Sequence, residues 1–238
     1  MPKRSGPGTG KGANVGVRRF PEAEAGEPRG EHVYAALREA IRVGELKPGQ
    51  RLVEREVAAT LGVSRTPVRQ AFKLLEAQGI ASVAGARGLV ITALTPEEVR
   101  ELYTIWESLE GIVARYAAQH ATDLDLKALR HIEEQWKSAS GPQVYGQLNK
   151  QFHDALYRAA HNRYLVRALN AIDDALALLG VTTFSIPGRP AEAGREHAAI
   201  VAAIARRDGA AAQQAAEAHI HRAGELRMTL VMGLELRT

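Results

Sequence analysis

Four residues in the second half of the chain have side chains and spacings that suit a metal ion. Asn149 and His153 are four residues apart, so on a helix they share one face. His197 and His219 lie eleven residues on either side of a turn expected at 208–209. In an antiparallel helix pair, this symmetry puts both side chains at the same level, about 16 Å from the loop. Three imidazoles and an amide oxygen form an N3O set with positions open for water or a ligand.

The residues around this set predict an enclosed site but leave other interpretations open. Apolar neighbours such as Ile200, Ile204 and Ile220 place the histidines inside a helical core. The alternatives are that these are core histidines whose hydrogen bonds are satisfied, or that the spacing arose by chance. His221 is two residues beyond His219, about 200° round the helix, and is predicted to face solvent.

A second group of residues has the pattern of a DNA-reading helix. Between 64 and 79, apolar residues recur at i, i+3, i+4 and i+7, as on one face of a helix. Ser64 is a suitable N-cap, and Gly79 marks the end of the helix. The exposed arc carries three positive charges and no acid, which suits the major groove. The apolar positions are Val68, Ala71, Phe72 and Leu75, and the polar ones are Arg65, Thr66, Arg69, Gln70 and Lys73.

The flanking segments complete a winged helix-turn-helix. We predict a helix at 31–43, a second at 51–61, and a β-hairpin made of 80–83 and 89–91 with its turn at 84–88. The alternative is a small helical subdomain with ordinary solvated charges, but five elements in this order favour DNA binding. The predicted DNA-binding residues are Arg55, Ser64, Arg65, Thr66, Arg69, Gly88 and Arg87, which lies at the wing tip.

Composition agrees with this organisation. Residues 1–95 carry a net charge of +6 and residues 96–238 a net charge of −2, so the positive charge lies with the predicted DNA-binding unit. The 238 residues contain no cysteine, which excludes disulfides and thiolate metal sites and is compatible with a reducing cytoplasm. Residues 1–30, rich in Gly and Pro, are expected to form a disordered tail. No apolar run is long enough to span a membrane, so we expect a cytoplasmic protein without a membrane partner.

A second domain is predicted to start at Thr95. This threonine, Pro96 and Glu98 form a capping box with proline at the first helical position. The predicted helices are 96–120, 123–138, 142–160, 163–184, 190–207 and 210–233. The expected fold is therefore mostly α, with a winged helix-turn-helix at 31–94 and an all-α six-helix bundle at 95–238.

The motifs resemble those of GntR-family bacterial transcription regulators. The DNA-binding unit matches through PGQRLVERE at 48–56, GVSRTPVRQA at 62–71 and LEAQG at 75–79. The second half resembles the FCD effector domain of the FadR branch of that family. The residues that carry this second resemblance are Leu109, Glu110, Ala117, Ala118, FHDAL at 152–156, Asn162, His197 and His219.

The resemblance implies how the two halves work together. FCD domains dimerise and bind a small organic acid, often beside a divalent metal held by an Asp or Asn, the His four residues later and two further His. Carried over to this chain, those ligands are Asn149, His153, His197 and His219. The implied function is a homodimeric regulator of a double-stranded, palindromic operator. Its affinity would respond to a small-molecule effector beside a metal, with zinc the leading candidate and nickel or manganese as alternatives.

Two positions depart from the family pattern. Asn149 stands where many relatives have Asp, so the ligand set is neutral and should hold a dication less tightly. Trp106 stands where many relatives have an Arg that can hold the carboxylate of the effector. We therefore assign Trp106 to the effector site. An acid effector would depend on the metal or on another cation, and the tryptophan favours a less anionic effector.

Two other functional classes fit the sequence less well. A metal-dependent hydrolase needs a carboxylate base near the metal, but Asp154 follows His153 directly and so points about 100° away on the helix. No hydrolase or phosphate-loop motif occurs in the sequence. An architectural DNA-binding protein does not need a large helical bundle with buried polar residues. We therefore predict a regulator and not an enzyme.

Overall fold

The computed structural model describes residues 29–84, 88–180 and 182–235. Its contacts divide the chain into two compact units, the first ending at Ile91 and the second beginning at Thr92. The helices and strands of each unit position the candidate site residues.

The first unit combines three helices with a small sheet. The helices are α1 (Arg29–Arg42), α2 (Glu54–Leu61) and α3 (Arg65–Ala77), and the strands are β1 (Arg51–Val53), β2 (Ala81–Val83) and β3 (Gly88–Ile91). Both β1 and β2 pair antiparallel with β3, which is the central strand. The expected winged helix-turn-helix is confirmed.

The start of the predicted 51–61 helix is wrong. Residues 51–53 form strand β1 because Leu52 pairs with Leu89 and is fully buried, so the helix begins only at Glu54. The apolar stripe predicted for α3 is buried, including Val68 and Leu75, and Leu37 of α1 is buried as well. Together they form the core of this unit.

The second unit is a bundle of six α-helices within the described residues. They are α4 (Pro96–His120), α5 (Asp123–Ser138), α6 (Pro142–Ala159), α7 (Arg163–Ala177), α8 (Arg189–Ala205) and α9 (Gly209–Glu235). The predicted 163–184 helix is too long. It ends at Ala177, Gly180 adopts a positive φ, and a short 3₁₀ helix follows at Thr183–Ser185.

Local capping and close packing fix the helices that carry the polar side chains. Thr95 forms the predicted capping box with Glu98, and Thr122 forms a second one with Asp125. A cap of this kind contributes about 0.5–2 kcal/mol. Helix α4 packs along α9, α8 also packs on α9, and α5 lies against α6 and α8. The interior between these helices holds most of the buried polar residues of the unit. No helix in the described ranges has the length and apolar character to cross a membrane.

Candidate metal centre and DNA-reading helix

Three histidines meet inside the helical unit. His153 comes from α6, His197 from α8 and His219 from α9, and each is at most 4% exposed. One ligand nitrogen from each lies within 4.8 Å of the other two. The rings of His197 and His219 are 4.7 Å apart between centroids, as their symmetric spacing about the 208–209 turn predicts. These nitrogens are therefore candidate ligands of one ion, for which metal–nitrogen distances are about 2.0–2.1 Å.

Two carboxylates orient two of these rings. The Nδ1 of His153 is hydrogen-bonded to the buried carboxylate of Glu110, and the Nδ1 of His219 donates to Glu196 at 2.6 Å. Metal-binding histidines are commonly held in this way, since the bond at Nδ1 fixes the tautomer and leaves Nε2 free to coordinate. Because Nδ1 is engaged in both rings, Nε2 is the nitrogen that remains to coordinate an ion.

The third ring is held by aromatic packing. His197 stacks on Phe152 with 3.9 Å between centroids, and the Trp136 ring meets it edge-on at 4.9 Å. Gly194, one turn before His197, leaves room for this arrangement: a Cβ there would lie 2.9 Å from the Trp136 Nε1. The small residue at 194 is thus required by the close approach of the indole.

Unpaired buried atoms test whether a metal ion fits here. Within the described residues, His153 Nε2, His197 Nε2 and Asn149 Oδ1 are buried without a hydrogen-bond partner. Leaving such an atom unpaired costs about 1–3 kcal/mol. All three are lone-pair atoms of the kinds that bind divalent metals, and Asn149 lies one turn before His153 on α6. The donor set therefore fits a divalent ion.

The protonation of the cluster also suits a cation. Burial lowers the pKa of His197 well below 6.5, and burial also lowers that of His219 despite the opposing effect of Glu196. Both rings are consequently neutral at neutral pH, as metal ligands must be. Burial opposes ionisation of Glu196 too, but hydrogen bonds from His219 and Arg189 outweigh it and hold its pKa at about 2.

His153 behaves differently. Burial opposes its protonation, but the Glu110 carboxylate outweighs burial and raises the pKa of His153 above 6.5. A metal-free protein therefore carries a proton on His153 at neutral pH for part of the time, and a metal ion must displace it.

This difference predicts proton release on metal uptake. At neutral pH, zinc binding should release a proton from His153. The affinity for zinc should therefore begin to fall above pH 6.5, the usual pKa of histidine, as the pH is lowered. Calorimetric titration of zinc in buffers with different ionisation enthalpies measures the released proton. A heat of binding that is independent of the buffer would contradict the assignment.

Glu110 provides a second test of the centre. Glu110→Gln keeps the size of the side chain but removes the charge that orients His153, so zinc affinity should fall about tenfold. Glu107→Gln, three residues earlier on α4, is the matched control because Glu107 contacts the exposed His221 instead. Competition with a chromogenic chelator measures both affinities. Equal zinc affinity in the Glu110→Gln variant and the wild type would show that the carboxylate does not support the site.

Trp106 lies beside the cluster and contributes to the same network. Its side chain is buried, and its Nε1 donates to Glu110 at 3.0 Å and to the Tyr157 hydroxyl at 3.3 Å. Tyr157 donates to Glu110 as well, at 2.9 Å. Trp106 thus shares the carboxylate that orients His153, and its assignment to the effector site stays a prediction.

An exposed histidine and a cavity lie near the histidine cluster. His221 has a 65% exposed side chain paired with Glu107, in agreement with the predicted outward orientation. A cavity of about 280 Å³ lies between α5 and α8. Its walls include the aromatic rings of Trp136 and Phe152 and reach His197. A small molecule therefore has room next to the cluster.

In the first unit, the polar face of α3 is exposed as predicted, but its arginines are paired. Glu54, at the start of α2, is only 8% exposed. Its carboxylate accepts two hydrogen bonds from Arg69, both at 3.1 Å, and a third from Arg65 at 3.1 Å. The hydrogen bond from Arg69 is the main reason that the pKa of Glu54 is lowered. The two arginines are thereby held side by side with their outer donors facing solvent.

The other predicted DNA-binding residues lie in or beside the same elements. Ser64 occupies the N-cap position of α3, although its side chain makes no capping hydrogen bond, and Thr66 and Arg55 are exposed. Gly88 opens β3 opposite Val53, where a Cβ would lie 2.7 Å from the carbonyl oxygen of Leu52. Close strand packing thus requires a glycine at 88. Arg87 lies outside the described residues.

Four partners of the site residues were not identified from the sequence: Glu54, Glu110, Glu196 and Arg189. Glu110 was part of the family resemblance, but no role followed from it. Glu196 directly precedes His197 and Glu54 directly precedes Arg55. The sequence shows only that these acids adjoin a candidate ligand or DNA-binding residue. It does not show which side chain each acid contacts.

Comparison with known proteins agrees with the architecture. Residues 29–91 match the family of bacterial regulatory proteins named gntR, and residues 101–222 match the FCD domain. The chain is 30% identical to an uncharacterized HTH-type transcriptional regulator of Bacillus subtilis (strain 168), YdhC, over 85% of this chain and 92% of that protein. It is 32% identical to a probable D-xylose utilization operon transcriptional repressor of Paenarthrobacter nicotinovorans, over 76% and 80% respectively.

The solved structures share the fold. The E. coli protein McbR/YncC superposes with a TM-score of 0.78 at 21% identity, over 86% of this chain and 99% of that one. A putative GntR regulator from Rhodococcus sp. RHA1 gives a TM-score of 0.66 at 21% identity, over 84% and 98%. A helix-turn-helix unit followed by a helical unit therefore forms a known fold. The chain belongs to the GntR family of bacterial transcription regulators, with an FCD domain as its helical unit.

Proposed function

We propose that this regulator binds a palindromic operator as a homodimer and that a small metabolite, bound beside a divalent metal, changes its affinity for DNA. The observation that carries the proposal is the group of three buried histidines, two of which have an unpaired Nε2. Buried lone pairs without a donor are costly unless the site receives a ligand. This chain is a regulator and not an enzyme, so the ligand is sensed and not converted.

Zinc is the proposed metal, since three imidazoles and one oxygen suit it, and nickel or manganese would use the same side chains. His153, His197 and His219 would hold the ion, with Asn149 as the oxygen ligand. A metal ion bound there supplies a Lewis-acidic position that attracts an anionic ligand. The chain itself supplies the orientation, through Glu110 and Glu196, and excludes bulk water by burial.

The DNA contacts are proposed for the exposed face of α3 and its neighbours. Arg65, Thr66 and Arg69 lie at the N-terminal end of α3, which is the part of a recognition helix that meets base edges. The other proposed contacts are Arg55 on α2, Ser64 at the N-cap of α3, and Arg87 and Gly88 in the wing. Lysines and arginines contribute the salt-dependent part of the affinity.

Dimerisation is supported by the incomplete burial of α7. Of its residues only Leu169 and Ala177 are buried, whereas Leu165, Val166 and Ile172 are partly exposed in the isolated chain. A second copy covering these side chains would complete their burial. Two recognition helices related by a two-fold axis would then read two half-sites of a palindrome.

The proposed regulation is a population shift. Effector binding between the helices would change the packing of the FCD domain, and through the 91–96 connection it would change the orientation of the two recognition helices. By reciprocity, operator DNA would change the affinity for the effector by the same factor.

The direct test is binding of the purified protein to the promoter of its own gene, by fluorescence anisotropy and footprinting. We expect a palindromic footprint protected by two protomers. Equal affinity for a scrambled fragment of the same length would refute operator recognition, and a protein that stays monomeric on DNA would refute the dimer.

The pairing of Glu54 with both arginines leads to a specific prediction. Glu54→Gln removes the charge that holds Arg65 and Arg69, so these side chains lose their fixed orientation. Specific affinity should fall while affinity for scrambled DNA rises, because one negative charge near the phosphates is lost. We expect the ratio of the two affinities to fall about tenfold.

Glu56→Gln is the matched control for this variant. It makes the same charge change on the same helix, but Glu56 is not among the partners of the two arginines. Anisotropy with promoter and scrambled fragments at one salt concentration measures both ratios. An unchanged ratio in Glu54→Gln, or an equal loss in Glu56→Gln, would rule out a positioning role for Glu54.

A further inference from the structure

A fully buried arginine lies in the same interior as the histidines. Arg189 is the first residue of α8 and is 2% exposed. Its Nη1 pairs with Glu196 at 2.8 Å and with Glu192 at 3.2 Å. A buried guanidinium is costly even when paired, so this arginine is a poor source of net stability.

Part of this guanidinium has no partner. Arginine offers five N–H donors, and both carboxylate contacts use the single atom Nη1. The Nε of Arg189 is buried and, among the described residues, without a hydrogen-bond acceptor. A buried, charged N–H group that meets no acceptor among these residues is suited to donate a hydrogen bond to a ligand.

The side chain runs toward the histidine cluster. It reaches Glu196, seven residues later on the same helix, and the other oxygen of that carboxylate accepts from His219 at 2.6 Å. One carboxylate therefore links the guanidinium to the ring of a candidate metal ligand. The positive charge of Arg189 also contributes to the lowered pKa of His197, behind burial and the other two histidines.

We propose that Arg189 binds the effector, with its Nε donating to a carboxylate oxygen of an organic acid at the metal centre. The inference rests on the proposed function and identifies the residue that selects the ligand. Trp106 offers one neutral donor, already used by Glu110 and Tyr157, at the position from which a cation was expected. Arg189 supplies the cation from α8 instead.

Acetate is the probe for this proposal, with the uncharged acetamide as its counterpart. Zinc-loaded wild-type protein should bind acetate, but not acetamide, in calorimetric titrations. Arg189→Gln should weaken acetate binding at least about tenfold, because a charge-assisted hydrogen bond is lost. Arg189→Lys keeps the charge next to Glu196 without the Nε donor and should give an intermediate loss. Arg222→Gln is the matched control, since Arg222 also pairs with Glu192, at 2.9 Å, but is 42% exposed.

The outcomes separate this inference from the proposed function. Zinc content and promoter binding are measured in every variant, so that acetate affinities are compared at equal zinc loading, and Arg222→Gln should match the wild type in both. Wild-type acetate affinity in Arg189→Gln or Arg189→Lys overturns the role of Arg189 while the metal centre and operator recognition stand. If Arg189→Gln does not fold, Arg189→Lys decides alone.

Failure of zinc-loaded wild-type protein to bind acetate, or equal binding of acetamide, also overturns the role of Arg189. A wild type that binds neither zinc nor its promoter refutes the proposed function itself.

Discussion

His197→Ala and His219→Ala are each expected to abolish the rise in melting temperature that zinc gives the wild-type protein. A ligand that binds only the folded state stabilises it in proportion to the logarithm of its concentration over its Kd. Each variant removes one of the three imidazoles from the buried cluster, and the two that remain hold zinc too weakly to contribute. Thermal melts with added zinc and with a chelator measure the shift.

His221→Ala is the control for these variants. It removes an imidazole two residues from His219 on the same helix, but this side chain is exposed and paired with Glu107. The zinc-dependent shift should stay as in the wild type. If His221→Ala lost the shift, or if His219→Ala kept it, the assignment of the inner face of α9 would be wrong.

Arg69→Ala is expected to lower affinity for the operator about tenfold to a hundredfold, with the helical content unchanged. Arg69 is exposed on α3, and Glu54 holds its guanidinium through two parallel hydrogen bonds. Such a preoriented fork suits a bidentate contact to a guanine edge, and the loss of such a contact costs discrimination at one base pair. Anisotropy on the promoter of its own gene at fixed salt gives the affinity.

Lys73→Ala is the comparison for Arg69→Ala, because it removes the same charge from the same helix one turn later. A lysine that meets phosphate contributes equally on all sequences, so promoter and scrambled DNA should weaken in parallel. Arg87→Ala at the predicted wing should behave likewise. Wild-type promoter affinity in Arg69→Ala would refute its role as a base-reading residue.

Periodicity and capping made much of the fold predictable. The stripe of Val68 and Leu75 identified the buried face of α3, and the threonine-glutamate pair at Thr95 and Glu98 marked the start of α4. The turn at 208–209 placed His197 and His219 at one level. These inferences use spacings within one helix or across one short turn, for which helical geometry is known in advance.

The contacts that were missed connect residues far apart in the chain. Strand β1 has three residues, too few for a periodicity, and its pairing partner lies beyond α3. Glu110 meets His153 across 43 positions, and on α4 it looks like any other acid. Arg189 begins a helix, where a cation is normally solvent-exposed, and only the packed structure reveals its burial. Tertiary packing determines each of these contacts, and the spacing of residues in the sequence does not encode it.

Elemental analysis of the wild-type protein tests the central claim most directly. The protein is dialysed against zinc and then against metal-free buffer, and its metal content is compared with that of His219→Ala. The account predicts about one zinc ion per wild-type protomer and almost none in the variant. A wild-type protein that retains no metal, or a variant that retains as much as the wild type, would contradict the metal centre.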